Sequence, residues 1–309
     1  MRIIVTGGAG FIGSHLCDFL IERGDEVICI DNHSIGHFSH IEHNLKNKNF
    51  RLIRHDVTIP FKILGNIDEI YHLASRASPL DYQNYPVETA TSNSIGTYNL
   101  LNLAEEKRCP ILFSSTSEVY GEPKEHPQKE TYWGNVNPVG LRSCYDESKR
   151  FGEALLMAYK RQYNTDVKIV RIFNTYGPRL KPGDGRVVSN FIMQALRGDP
   201  ITIYGSGKQT RSFCYVSDMV IGLYKMMQSK ETGPNNLGNP YETTIMDLAG
   251  LIKKLTKSKS RIVFRALPVD DPTKRRPDIT KTKKLIGWEP KIELEEGLKK
   301  TIEWFSKLS

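Results

Sequence analysis

Short runs rich in β-branched and aromatic residues alternate with amphipathic stretches through the first half of the chain. Arg2–Thr6, 27–30, Phe50–Arg54, 69–73, 111–115 and 167–171 have the composition and length of buried strands. Between them, 11–23, 87–106 and 145–163 repeat apolar positions every three to four residues, the period of a helix with one buried face. Strand and helix in that rhythm predict an α/β fold, a doubly wound parallel sheet with helices on both faces. After about Gly177 the texture changes. Pro178, Pro182, Gly183 and Gly185 cluster, Ile201–Tyr204 is an isolated strand, and 267–278 holds three prolines. The expectation is a first lobe over 1–177, with part of 214–240 returning to it. A smaller mixed α/β lobe, mainly 178–309, then packs over the strand ends.

Composition narrows the function less than the pattern does. The chain has 309 residues and a formal charge of +8, but its basic residues are scattered among acids. The densest basic patch, 253–265, carries no interleaved aromatic stacking pattern, so no nucleic-acid partner is expected. No apolar run reaches the length of a membrane span, and with the first strand opening at Arg2 no signal peptide is expected. Cys17, Cys29, Cys109, Cys144 and Cys214 are odd in number, widely spaced and without a C-x-x-C pair. His33, His37, His40 and His43 lack acidic or thiol partners at ligand spacing. A cytoplasmic protein with no metal is the expectation.

Gly7-Gly8-Ala9-Gly10-Phe11-Ile12-Gly13 joins the first strand to the first helix. A turn there needs glycines for positive φ and for close approach to a pyrophosphate, which the helix N-terminus then holds. Asp31 follows 21 residues after Gly10, at the end of the second strand. Its carboxylate suits ribose hydroxyls and would repel a 2′-phosphate, so NAD is expected rather than NADP. Asp56 and Val57, after a later strand, suit the adenine edge.

Tyr145 and Lys149 stand one turn apart on the helical stretch 145–163 and so share a face. A tyrosine hydroxyl acts as a base near neutral pH only if its pKa falls from about 10. A neighbouring ammonium and a positive nicotinamide ring both favour the phenolate, so Lys149 is expected to lower it. Ser114-Ser115-Thr116-Ser117-Glu118-Val119-Tyr120-Gly121 follows the strand residues 111–113, at the carboxyl end of the sheet where ligands bind.

With these motifs the sequence resembles the extended short-chain dehydrogenase/reductases that modify nucleotide sugars, and among them the UDP-glucuronate decarboxylases (UDP-xylose synthases). The resemblance runs nearly end to end. Its most specific blocks are Arg142-Ser143-Cys144-Tyr145-Asp146-Glu147-Ser148-Lys149-Arg150 and Gln209-Thr210-Arg211-Ser212-Phe213-Cys214-Tyr215-Val216-Ser217-Asp218. His72-Leu73-Ala74-Ser75, 171–179 and Asp270-Asp271-Pro272 extend it. It implies that Tyr145 takes the 4′-hydroxyl proton, Lys149 holds the ribose of NAD, and Thr116 hydrogen-bonds the sugar. Phe11, Ile12, Leu73 and Ala74 would line the cofactor site. Tyr82, Asn174, Arg179, Arg186, Tyr204 and Arg211 would bind the UDP-sugar. Arg275 would lie beside the sugar carboxylate, with Arg276 the nearest competing assignment.

Close relatives share the first oxidation at C4′ and diverge afterwards. A 4,6-dehydratase carries Asp at the position of Ser117, and epimerases usually lack the acid at Glu118. In a uronic acid the 4′-ketone makes a β-keto acid, so carbon dioxide can leave through an enolate. Glu118, with Ser117 and Arg275, fits that step. The expected activity is therefore NAD-dependent decarboxylation of UDP-glucuronate to UDP-xylose. A nucleotide-sugar 4-epimerase or 4,6-dehydratase is the alternative, and a catalytically idle nucleotide-binding module is disfavoured by the presence of Tyr145 and Lys149. Arg76 stands where the family commonly has Pro and is expected to face solvent. Thr91 replaces a commonly basic residue. A homodimer is expected through Tyr98, Leu101, Leu155, Leu156 and Tyr159 on the two long helices.

Overall fold

The computed structural model describes residues 1–266 and 274–308, so the Asp270-Asp271-Pro272 block lies outside the described residues. The first six strands are β1 (Arg2–Thr6), β2 (Glu26–Asp31), β3 (Phe50–Arg54), β4 (Glu69–His72), β5 (Ile111–Thr116) and β6 (Val167–Ile172). They form one sheet with Asn235–Leu237 at its edge, in the order Asn235–Leu237, β6, β5, β4, β1, β2, β3. Every pairing is parallel. Strand order reverses between β1 and β4, which opens a crevice at their carboxyl ends.

The helices are α1 (Phe11–Glu22), α2 (Pro79–Asn84), α3 (Pro86–Thr91), α4 (Thr97–Lys107), α5 (Ser143–Tyr163), α6 (Val187–Arg197), α7 (Val216–Met227), α8 (Ile245–Thr256), α9 (Thr280–Ile286) and α10 (Leu294–Ser306). Strand side chains alternate between two cores, as the pleat requires. Ile3 and Val5 pack with Leu16 and Leu20 of α1 and Leu223 of α7. Ile4 and Ile28 pack on the other face with Leu100 of α4 and Leu156 of α5. A third core gathers Phe191 and Ile192 of α6, Leu248 of α8 and Leu298 of α10 under the strand pair Ile201–Tyr204 and Ile262–Arg265.

The expected helix 87–106 is interrupted. Pro86 starts α3, and one π-helical turn, Ser92–Gly96, separates it from α4. Gly96 lies so close to Val57 that a Cβ there would stand 2.7 Å from a Val57 methyl. The wider turn lets Asn93 donate to the Ser148 hydroxyl at 3.0 Å, joining α5 to this segment.

The expected dimer face needs correction. Leu101 and Leu156 are fully buried between α4 and α5, and the Tyr159 hydroxyl donates to Asn102 Oδ1 at 2.6 Å within the chain. The two helices face each other there, which takes these residues into the core. Leu155 is partly buried against the same core, and of the expected residues Tyr98 alone stays outward, beside Val87, Ile95, Phe151 and Tyr163. Among the described residues no helix is long and apolar enough to cross a membrane.

Candidate active site

At the β1–α1 turn Gly7 adopts φ +70°, and a Cβ on it would stand 2.8 Å from the backbone of Ala74. At Gly13 a Cβ would stand 2.9 Å from Gly8 Cα. These two positions admit only glycine, and they hold the turn flat against the β4 exit. No side chain caps α1 and no acid occupies its first turn, so its N–H groups face the crevice ready for an anion. Asp31 locks the turn from the side: Ala9 N donates to Oδ2 at 3.0 Å and His33 N to Oδ1 at 2.7 Å. Each oxygen keeps a further lone pair for a ribose hydroxyl. Burial raises the Asp31 carboxyl, and those two N–H groups hold it down. Asp56 accepts from Asn32 at 2.8 Å and from Thr58.

One cavity of about 720 Å³ runs from this turn to α6 and the strand Ile201–Tyr204. Gly7, Gly10, Phe11, Ile12, Gly13, Asp31, Asp56, Val57, Leu73 and Ala74 line one end. Thr116, Ser117, Glu118, Tyr145 and Lys149 line its middle. Tyr82, Asn174, Arg179, Arg186, Tyr204, Arg211 and Arg275 line the rest. The cradle, the free helix terminus and the acid at the end of β2 fit a dinucleotide.

Tyr145 is buried near the start of α5, its ring stacked on Tyr82 with centroids 5.1 Å apart and planes 6° from parallel. Lys149 Nζ donates to the Ser114 carbonyl at 2.6 Å and lies 5.9 Å from the centre of the Tyr145 ring. The expected lowering of the tyrosine by this lysine is not what the side chains do. Burial pushes Tyr145 up to about 12, and the groups opposing it are a Thr116 hydrogen bond and the charge of Arg186. The reason lies with Lys149 itself, which burial brings down to about 7, so its own charge is costly there.

That lysine makes a pH prediction. Between about 7 and the unfolded value of 10.5 the unfolded chain holds the Lys149 proton and the folded chain does not. Stability from this group therefore rises with pH across that window. Lys149→Met should flatten the rise, read as the difference in Tm between the two proteins at pH 7 and pH 9 without cofactor.

Glu118 sits between two guanidinium groups. Arg275 Nη2 donates to its Oε2 at 3.2 Å, and Arg142 Nη2 donates to the same oxygen. Burial opposes the charge, but Arg275, then Arg142 and Arg211, hold Glu118 well below the usual carboxylate range. Arg275 also donates to the Ser117 carbonyl at 2.9 Å and is almost fully buried. Burial and the Glu118 charge have the opposite effect on the neighbouring Asp146, whose carboxyl is raised.

Two assignments change. Arg276 does not reach the cavity: its backbone N–H donates to Gln128 Oε1 at 2.8 Å, and its guanidinium pairs with Glu242 at 3.5 Å. Lys274–Arg275 pairs as a strand with Thr210–Ser212, in a register that sets Arg275 beside Arg211. The next residue then points the other way. Arg76 is half-buried in the cavity wall rather than turned to solvent. The sequence reading also passed over Arg142. Its only signal was a place in the block before Tyr145, just outside the helix, because Glu118 lies 24 residues away.

The glycine cradle, the doubly wound sheet and the Tyr145–Lys149 helix face together define an extended short-chain dehydrogenase/reductase. A family model described as GDP-mannose 4,6 dehydratase matches residues 4–301. UDP-glucuronic acid decarboxylase 4 of Arabidopsis thaliana is 55% identical over 96% of this chain and 67% of its own length. UDP-glucuronic acid decarboxylase 1 of Danio rerio is 54% identical over 99% of this chain and 73% of its own. The crystal structure of UDP-glucuronic acid 4-epimerase from Bacillus cereus, in complex with UDP-glucuronic acid and NAD, superposes with a TM-score of 0.89 at 30% identity, covering both chains fully. The chain belongs to the UDP-glucuronic acid decarboxylase family within that dehydratase-like group.

Proposed function

We propose that this protein is an NAD-dependent enzyme that decarboxylates UDP-glucuronate to UDP-xylose through a 4-keto sugar. The observation that carries this reading is the half-buried Glu118 carboxylate held by Arg275 and Arg142 beside Tyr145 and Thr116. Residues 1–177, with the returning part of 214–240, hold NAD, and the later segments supply most of the UDP-sugar contacts. NAD, when bound, accepts the C4′ hydride and gives it back.

Around that chemistry the chain's own groups act on the sugar. Thr116 orients the 4′-hydroxyl, and Tyr145 Oη receives its proton. Burial works against the Tyr145 phenolate, and the positive charge that NAD would supply when bound would favour it. The sugar carboxylate competes with Glu118 for Arg275, a fork that suits a carboxylate. Two carboxylates sharing these cations repel one another, and loss of carbon dioxide relieves that repulsion. Ser117 is a far weaker acid than the group a dehydratase needs at this position. Incubation with UDP-glucuronate and substoichiometric NAD, followed by NMR of the nucleotide sugar, should give UDP-xylose. UDP-galacturonate in its place would make the protein an epimerase.

The assembly we propose is a cytoplasmic homodimer, each copy covering the other along α3, α4 and α5. Val87, Ile95, Tyr98, Phe151 and Tyr163 are all exposed there, and helix faces with such side chains bury readily against a second copy. Sedimentation should give twice the chain mass at micromolar concentration, and Tyr98→Glu with Phe151→Glu should give the monomer. A wild-type monomer would remove the proposal.

A further inference from the structure

The cations lining the cavity are mostly committed. Arg142 and Arg275 hold Glu118. Arg179 pairs with Asp18 at 2.7 Å, Lys181 with Asp81 at 3.0 Å and Arg186 with Asp184 at 3.4 Å. Arg76 differs. Its guanidinium carbon lies 4.4 Å from the centre of the Tyr85 ring, and among the described residues no carboxylate pairs with it.

We propose that Arg76 is an anion-binding arm of this cavity, presented on Tyr85 to a phosphoryl oxygen of a bound nucleotide. A guanidinium seated over an aromatic ring keeps its N–H donors free, so Tyr85 holds the side chain without using them. Position selects the ligand. Ala74, two residues before Arg76, lies against Gly7 in the turn built for a pyrophosphate. Arg186 Nη2 donates to the carbonyl of Ala77, one residue beyond Arg76, at 3.0 Å. The following helix carries Tyr82 onto Tyr145. Arg76 therefore stands in the wall between the cofactor turn and the sugar-binding middle of the cavity. Arg275 stands by Glu118, where the sugar carboxylate is proposed to lie, which leaves Arg76 for phosphate. A diphosphate oxygen matches a planar fork of donors, and either NAD or the UDP-sugar could supply it.

The inference builds on the nucleotide-sugar reading, and calorimetry without turnover separates the two. NAD and UDP are each titrated into wild type, Arg76→Gln and Arg76→Met. The Met variant keeps an apolar stem on Tyr85 and serves if the Gln variant does not fold. Loss of a hydrogen bond to a charged group should weaken one ligand about tenfold and leave the other unchanged. Weaker NAD assigns Arg76 to the cofactor diphosphate, and weaker UDP to the substrate diphosphate. Unchanged affinity for both overturns the proposal. A wild type that binds both nucleotides yet forms no UDP-xylose would defeat the proposed reaction and leave Arg76 standing.

Discussion

Tyr145→Phe lowers kcat by about a thousandfold, the scale of losing a positioned acid–base group, and leaves the Kd for NAD nearly unchanged. The substitution removes one oxygen and little else. The phenylalanine ring keeps the stack on Tyr82, and Lys149 keeps its bond to the Ser114 carbonyl. What disappears is the acceptor for the 4′-hydroxyl proton. Stopped-flow measurement of reduced nicotinamide, with UDP-glucuronate in excess, checks this directly. A variant that still reduced NAD at the wild-type rate would mean that another group takes the proton.

Glu118→Gln has a different signature, because it follows the oxidation rather than preventing it. The amide keeps the shape of the side chain but no longer neutralises Arg275 and Arg142. Removing one partner of a buried pair costs about 3–5 kcal/mol, so the variant should melt well below wild type. The freed Arg275 holds the substrate carboxylate more firmly, so KM stays level or falls while kcat drops about a hundredfold. Reduced nicotinamide and 4-keto sugar should accumulate together, seen by absorbance and by mass. Turnover at the wild-type rate would remove the distinction drawn here from the epimerases.

The sheet was legible because its strands are short, apolar and separated by strong helical periods. Val27 to Ile30 and Ile111 to Ser115 fall inside β2 and β5. The π-helical turn that interrupts 87–106 was not legible, because it depends on Gly96 meeting Val57, a tertiary contact that no local pattern carries. The cofactor turn could be read because glycine spacing is a local backbone requirement. Charge pairing could not. Glu118 and Arg275 are 157 residues apart, and nothing in Lys274-Arg275-Arg276 says which arginine points inward until the strand pairs with Thr210–Ser212. The tyrosine pKa failed for a related reason: spacing put Lys149 on the right face, but not its desolvation or its bond to Ser114.

The most direct measurement of the central claim follows the carboxyl carbon. The purified protein is given UDP-glucuronate labelled at C6 with a trace of NAD, and labelled carbon dioxide is collected as UDP-xylose forms. One labelled carbon dioxide for each UDP-xylose is the predicted result. A product that retains the label, whether the 4-epimer or unchanged substrate, would contradict the account.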